Sequence, residues 1–254
     1  MKYTNKFDLS DISKAMLLYS NYDIKKANIN TLTASEISNS NKQIILTKRH
    51  KEDCIQDISG MINMVFGSML HQWSENSLIQ LMEKNQNFKD RFILEKRLEY
   101  EVNGINISGK FDVYDTLNNV LYDFKTNTIA GYKNYPKGKR DYIIQTNIYK
   151  WLIEFTTGYI VKDIKLINVL KDWRPAESYK ENNYPAIPIM EHSIEIWNSD
   201  YTMDYLSNKV KSYKEDLLKE DDDIEECKER WNNKRCKNYC ICNKFCNYYK
   251  KIIK

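Results

Sequence analysis

The stretch Leu121–Asn127 reads LYDFKTN. In a β-strand, residues i and i+2 share a face. Asp123 and Lys125 therefore point one way, and Val120, Tyr122 and Phe124 point the other. A carboxylate and an ammonium group thus share a face of an otherwise apolar, aromatic strand. Such a pair on a sheet is ordinarily just solvated, so its meaning depends on what flanks it.

Upstream, the period of two continues. RFILEKRLEYEV (Arg91–Val102) and INISGKFDVYD (Ile105–Asp115) read as two strands joined by Asn103-Gly104, a strong hairpin signal. In the second strand Ile105, Ile107, Phe111 and Val113 share a face, and Asp112 points to the opposite one. A polar turn, TLNN, leads into the strand of Asp123, so a three-strand meander is expected. Downstream, after a loop with Gly131, Pro136 and Gly138, comes DYIIQTNIYKWLIEF (Asp141–Phe155). Ile144, Ile148, Trp151, Leu152 and Phe155 make a helical stripe, and Gln145 and Tyr149 sit at i and i+4 on a neighbouring face. DIKLINVLKDW (Asp163–Trp173) is a fourth strand. Nearer the start, Thr33 and Glu36 form a capping box that opens a helix. A second helix is expected from Ile58 to Leu81, with Ile58, Met61, Ile62, Val65 and Met69 on one stripe. Gly67 costs that helix roughly 1 kcal/mol relative to Ala, which suggests close approach at that turn; His71 lies one turn later on the same face. The order of elements predicts an α/β fold with a mixed sheet and flanking helices.

The chain has 254 residues, 42% hydrophobic and 13% aromatic, enough for one sizeable core. A mean hydropathy of -0.67 and the lack of a long uncharged apolar run argue against a membrane span. MKYTNKFDLSDISK has no apolar stretch of the signal-peptide kind, so a cytoplasmic protein is expected. The net charge of +4 permits nucleic-acid binding without requiring it. KEDDDIEE (Lys219–Glu226) reads as a solvated, acidic helix start, followed by a basic tail. No repeat or domain boundary is visible. The chain reads as a single domain over 1–254, with an N-terminal helical segment (1–56), a core (57–190) and C-terminal helices (191–254).

Taken in order, GSMLH (67–71), GKFD (109–112), DFKT (123–126) and QTNIY (145–149) resemble the motifs of the PD-(D/E)xK nuclease superfamily. The likeness is greatest to its RecB-type and phage exonuclease branch. It spans roughly 31 to 190, since LTASEI and LKDW…YPAIPI also look like phage members. Each motif alone is weak, but four in order on the expected elements are a strong signal. The resemblance implies a restriction-endonuclease-like core, with a mixed central sheet flanked by helices, and a metal-dependent deoxyribonuclease, of the phage exonuclease type, acting on duplex ends. The readings set against it are a structure-specific endonuclease or nickase, and a catalytically silent DNA-binding module.

The residue types suit this chemistry. Phosphodiester hydrolysis builds negative charge, which a dication held by carboxylates offsets. Asp112 and Asp123, on neighbouring strands, can be presented to one ion, and hard oxygen ligands favour Mg²⁺ or Mn²⁺. The resemblance adds the Phe124 carbonyl and His71 as ligands. It implies that Lys125 places water and stabilises charge, and that Gln145 and Tyr149 hold the strand or orient Lys125. Asp115 is a rival to Asp112. A further acid is expected from Glu95, Glu99 or Glu101, and the sequence does not choose among them. DNA is the expected partner, alongside a single-strand annealing or recombinase protein; a homo-oligomer is also compatible.

Five of the six cysteines follow residue 226: Cys227, Cys236, Cys240, Cys242 and Cys246. Four thiols suffice for tetrahedral Zn²⁺ or an iron–sulfur cluster. RecB-type exonucleases often carry a 4Fe–4S cluster with one early and three late cysteines. Here Cys236-x3-Cys240-x5-Cys246 is one residue wider at its first gap, and Cys54 is the sole early thiol. The expected set is a self-contained tail of Cys227, Cys236, Cys240 and Cys246, with Cys54 or Cys242 as the alternative fourth ligand.

Overall fold

The computed structural model describes residues 1–18, 28–180, 183–228 and 231–253. The chain divides into two compact units. One comprises 66–100 and 108–202, and contains a five-stranded mixed sheet. Its strands lie in the order Ile189–Ser193, Asp163–Leu170, Val120–Asn127, Val113–Asp115 and Phe92–Leu94. Val120–Asn127 runs parallel to Asp163–Leu170, with Asp123 opposite Leu166 and Lys125 opposite Asn168. The other pairings are antiparallel. A parallel pair needs a crossover, and the Ile129–Asn134 and Arg140–Thr157 helices supply it. The longer helix packs on both central strands. It buries Ile144, Ile148, Trp151 and Leu152 and leaves Phe155 48% exposed. Gly158, at φ 76°, ends it in the left-handed conformation that glycine adopts without steric cost.

The expected meander is not continuous. Arg91–Val102 breaks into the strands Phe92–Leu94 and Arg97–Val102, and Ile105–Asp115 breaks into Ile105–Lys110 and Val113–Asp115. Arg97–Val102 and Ile105–Lys110 belong instead to a three-stranded sheet, with Ile105–Lys110 in the middle and Thr31–Thr33 at its other side. Both breaks fall at the same level. Glu95 takes φ 47°, its N–H donates to the Asp112 carbonyl (2.8 Å), and the Phe111 N–H donates to the Lys96 carbonyl (3.3 Å). Here the paired strands leave one sheet for the other, and Glu95 and Asp112 sit at that corner. The hairpin itself is as expected: Asn103 and Gly104 both have positive φ (50° and 82°), the signature of a two-residue primed turn.

The second unit comprises 1–65, 101–107 and 203–254. Its capping box is present at Thr33 and Glu36, but that helix is only Ala34–Ile37; Ser40 then caps Asn41–Arg49. Lys219–Glu226 is not a helix start. It lies against Asn41–Arg49, where Asp221 accepts from Arg49 (2.7 Å) and Lys42 Nζ donates to the Ile224 carbonyl (3.0 Å). The tail continues around the same helix, with the Phe245 ring stacked on His50 at 4.0 Å.

The long helix is Ile62–Lys84, preceded by a 3-10 turn over Ile58–Met61. Only part of its expected stripe is core: Ile58 and Met61 are buried, whereas Met69 is 59% exposed. Gly67 has nothing within 4 Å of where a Cβ would stand, so no described neighbour accounts for that glycine. Among the described residues, no helix is long and apolar enough to cross a membrane.

Candidate active site

The face of Val120–Asn127 that carries charge is the buried one. Leu121 and Asp123 are 0% and 1% exposed, while Tyr122 and Phe124 are half-buried. A buried ion pair is costly unless hydrogen-bonded, and Lys125 finds its further partner on the Arg140–Thr157 helix. Lys125 Nζ lies 2.6 Å from Asp123 Oδ2 and donates to Gln145 Oε1 at 3.2 Å. Gln145 Nε2 in turn donates to the Tyr149 hydroxyl at 2.6 Å. The Tyr142 ring centroid is 5.0 Å from Lys125 Nζ. Tyr149 can reach inward because Gly109 leaves space: a Cβ there would stand 2.8 Å from both Tyr149 Cδ1 and Leu152 Cδ1.

Asp112, at the sheet corner, turns its carboxylate toward the same strand, where Oδ2 accepts from the Phe124 N–H at 2.7 Å. Its Oδ1 is 3.2 Å from His71 Nδ1, and Glu95 Oε1 is 3.5 Å from the same nitrogen. Lys110 closes an ion pair on Glu95. Ligand atoms of His71, Glu95 and Asp112 all lie within 4.8 Å of one another. The structure thus brings together His71, Asp112, Asp123, Lys125, Gln145 and Tyr149. From the three open acids it adds Glu95; Glu99 instead accepts from Ser108 Oγ at 3.0 Å. Asp115 serves the scaffold instead. It holds Arg91 through two contacts (2.9 and 2.6 Å) and accepts from the Leu117 and Asn118 N–H groups.

The electrostatics follow from burial and like charge. Burial lifts the Asp123 carboxyl to about 6; Lys125 opposes the shift and Asp112 reinforces it. Burial would lower Lys125, but Asp123 and Asp112 outweigh it and hold the ammonium above its ordinary value. Burial would also lower His71, yet hydrogen bonds to Asp112 and Glu95 raise it to about 10. Burial, with Asp123 and Asp112 nearby, pushes the Tyr149 hydroxyl well up, so it stays neutral.

These groups fit a dication. Three donor atoms of His71, Glu95 and Asp112 converge, and buried Asp123 Oδ2 makes no hydrogen bond of acceptable geometry despite the nearby Lys125. An imidazole nitrogen and carboxylate oxygens are both ligands for a divalent ion. Seating such an ion would displace the His71 proton.

In the other unit, Cys54 and Cys242 are buried with Leu46, and Cys240 and Cys246 pack against them. Cys240 Sγ is 3.5 Å from Cys242 Sγ, and that hydrogen bond, with burial, raises the Cys240 thiol. Cys227 Sγ lies 2.7 Å from Ser40 Oγ. Among the described residues no three cysteine sulfurs come within 4.8 Å of one another.

No protein-family model matches the chain, and no curated protein matches it. Among solved structures, SSO0001 superposes with a TM-score of 0.57 at 20% identity, over 94% of this chain and 95% of that one. LHK-Exo in complex with dAMP gives 0.45 at 15% identity, over 75% and 91%. A phage-related exonuclease from Haemophilus somnus 129PT gives 0.36 at 17% identity, over 74% and 95%. At these values the likeness to SSO0001 shows a shared fold over nearly the whole of both chains.

Proposed function

We propose that the protein is a metal-dependent deoxyribonuclease of the PD-(D/E)xK type, acting as an exonuclease on duplex ends. The observation that carries this reading is the convergence of His71, Glu95 and Asp112 beside the Asp123–Lys125 pair, in the order the nuclease motifs require. His71, Glu95, Asp112, Asp123 and the Phe124 carbonyl would hold the ion. When bound, it would offset phosphate charge and lower the pKa of attacking water. Lys125 keeps its proton and offers an ammonium group to the charge that grows on phosphorus-bound oxygen. Gln145 fixes the Lys125 nitrogen, and Tyr149 fixes Gln145. Water adds to phosphorus and gives up a proton to solvent as the P–O bond breaks, and the leaving oxygen takes up a proton from solvent.

The cysteine tail is proposed to hold an iron–sulfur cluster through Cys227, Cys236, Cys240 and Cys246, with Cys54 or Cys242 as the alternative fourth ligand; Cys54 packs with Cys240, Cys242 and Cys246. Six free thiols suit a reducing cytoplasm, that of the host if the gene is phage-borne. Resected ends would pass to an annealing or recombinase protein.

The test is digestion of linear and circular duplex DNA with Mg²⁺ or Mn²⁺, beside Asp123→Ala. Loss of linear DNA alone, abolished by the substitution, is expected. Cutting of circles would replace the exonuclease with an endonuclease. No cutting under any condition would overturn the nuclease.

A further inference from the structure

Outward from the catalytic lysine the structure continues as alternating cations and rings. Lys125 Nζ lies 5.0 Å from the Tyr142 ring centroid, and Lys139 Nζ lies 5.6 Å from the same ring. Lys139 Nζ is also 5.8 Å from the Tyr135 ring, which is 53% exposed. The series Lys125, Tyr142, Lys139, Tyr135 therefore runs from a buried ion pair to solvent.

Two observations distinguish it from casual surface packing. First, among the described residues Lys139 makes no ion pair, so its charge is held over aromatic faces with no carboxylate to neutralise it; Lys137 and Arg140 beside it likewise make none. Second, the loop is pinned. Gly138 has φ +88°, and a Cβ there would stand 2.8 Å from Leu166 Cδ1, the residue paired with Asp123 across the ladder. The backbone that presents Lys139 is thus pressed against the strand beside Asp123, where only glycine fits.

We infer that this step is a subsite for the nucleic-acid strand flanking the scissile phosphate: Lys139 takes the neighbouring phosphate, and Tyr135 offers a ring on which the next base stacks. Cations that track a backbone, interleaved with rings that stack bases, are how single strands are held without sequence preference. This rests on the nuclease reading, which puts the scissile phosphate at Lys125. The chemistry it names is that of a single strand or a frayed duplex end.

The experiment compares wild type, Lys139→Gln, Lys139→Arg, Tyr135→Ala, Tyr135→Phe and the control Lys162→Gln. Lys162 is exposed and precedes Asp163, which pairs with Val120 at the first position of the parallel ladder. Binding of a labelled duplex with a single-stranded overhang is followed in EDTA over a salt series, and cleavage is then measured with Mn²⁺. Lys139→Gln is expected to flatten the log–log salt slope by about 0.7–0.9. Tyr135→Ala is expected to weaken binding about tenfold. Both should raise KM with kcat little changed, while Lys139→Arg, Tyr135→Phe and Lys162→Gln stay near wild type and all variants keep the wild-type melting temperature. If Lys139→Gln and Tyr135→Ala match Lys162→Gln in slope and KM while wild type cuts DNA, this inference falls and the nuclease stands. If wild type binds but does not cut, and Lys139→Gln still flattens the slope, the nuclease falls and the inference with it, leaving only a nucleic-acid contact at Lys139. If wild type does not bind, both fall.

Discussion

Replacing Gly109 with alanine tests how closely the site depends on packing. The added Cβ would stand 2.8 Å from Leu152 Cδ1, 2.8 Å from Tyr149 Cδ1 and 2.9 Å from Tyr149 Cε1. Carbon atoms in contact prefer about 3.5–4.0 Å, so strand and helix must part by about 1 Å. Neither neighbour is the loose end of a surface chain: Leu152 is 0% exposed and Tyr149 7%. Overpacking of this kind costs about 1–3 kcal/mol, against which the lower entropy of the unfolded alanine chain returns about 0.4–1 kcal/mol. A net loss of about 1–2 kcal/mol is expected in urea denaturation. The displaced helix carries Gln145 and Tyr149, hence the hold on Lys125, and a shift of about 1 Å in a positioning group lowers turnover by up to about 10²-fold. Gly67→Ala is the comparator. It has open space at its Cβ and lies inside a helix, so it should gain roughly 1 kcal/mol. Gly109→Ala protein with wild-type stability and wild-type turnover on linear duplex DNA would refute the reasoning.

Three further outcomes are expected. Lys125→Met alone should cost about 3–5 kcal/mol because it strands the buried Asp123 charge, whereas Asp123→Asn with Lys125→Met should cost less than the sum of the single changes; an additive cycle in denaturation would show that the pair is not coupled. Asp115→Ala removes the anchor of Arg91 and the acceptor of the Leu117 and Asn118 N–H groups and should destabilise by about 1–3 kcal/mol, while the fraction that remains folded cleaves DNA normally; loss of metal binding instead would make Asp115 a ligand. Lys209 donates to the Asn39 carbonyl at 2.6 Å, and burial depresses it to about 8, with Asp216 opposing. The unfolded chain therefore binds more protons between about pH 8 and 10.5, and stability should rise over that window by up to roughly 3 kcal/mol. Lys209→Met should lack this rise, and equal slopes in the two proteins would refute it.

Local pattern by itself determined much of the fold and most of the candidate site. Alternation marked the strand of Asp123 and Lys125, Asn103-Gly104 marked the hairpin, and 3.6-residue spacing put Gln145 and Tyr149 on one helix face. These signals lie within a few residues of one another, so a linear reading captures them. What only the tertiary structure decided depends on residues far apart in the chain. Arg91–Val102 and Ile105–Asp115 each read as one unbroken strand, because nothing at Glu95–Lys96 or Phe111–Asp112 spells a break: there is no proline, and the one glycine nearby, Gly109, lies within a strand. The corner forms because the two strands exchange hydrogen bonds there and Glu95 accepts a positive φ. That backbone turn is what selects Glu95 over Glu99 and Glu101. Arg91 likewise engages Asp115, and Leu46 and its neighbours bring Cys54 to the tail cysteines. In each case the deciding partner is set by the folded path of the chain, which periodicity does not encode.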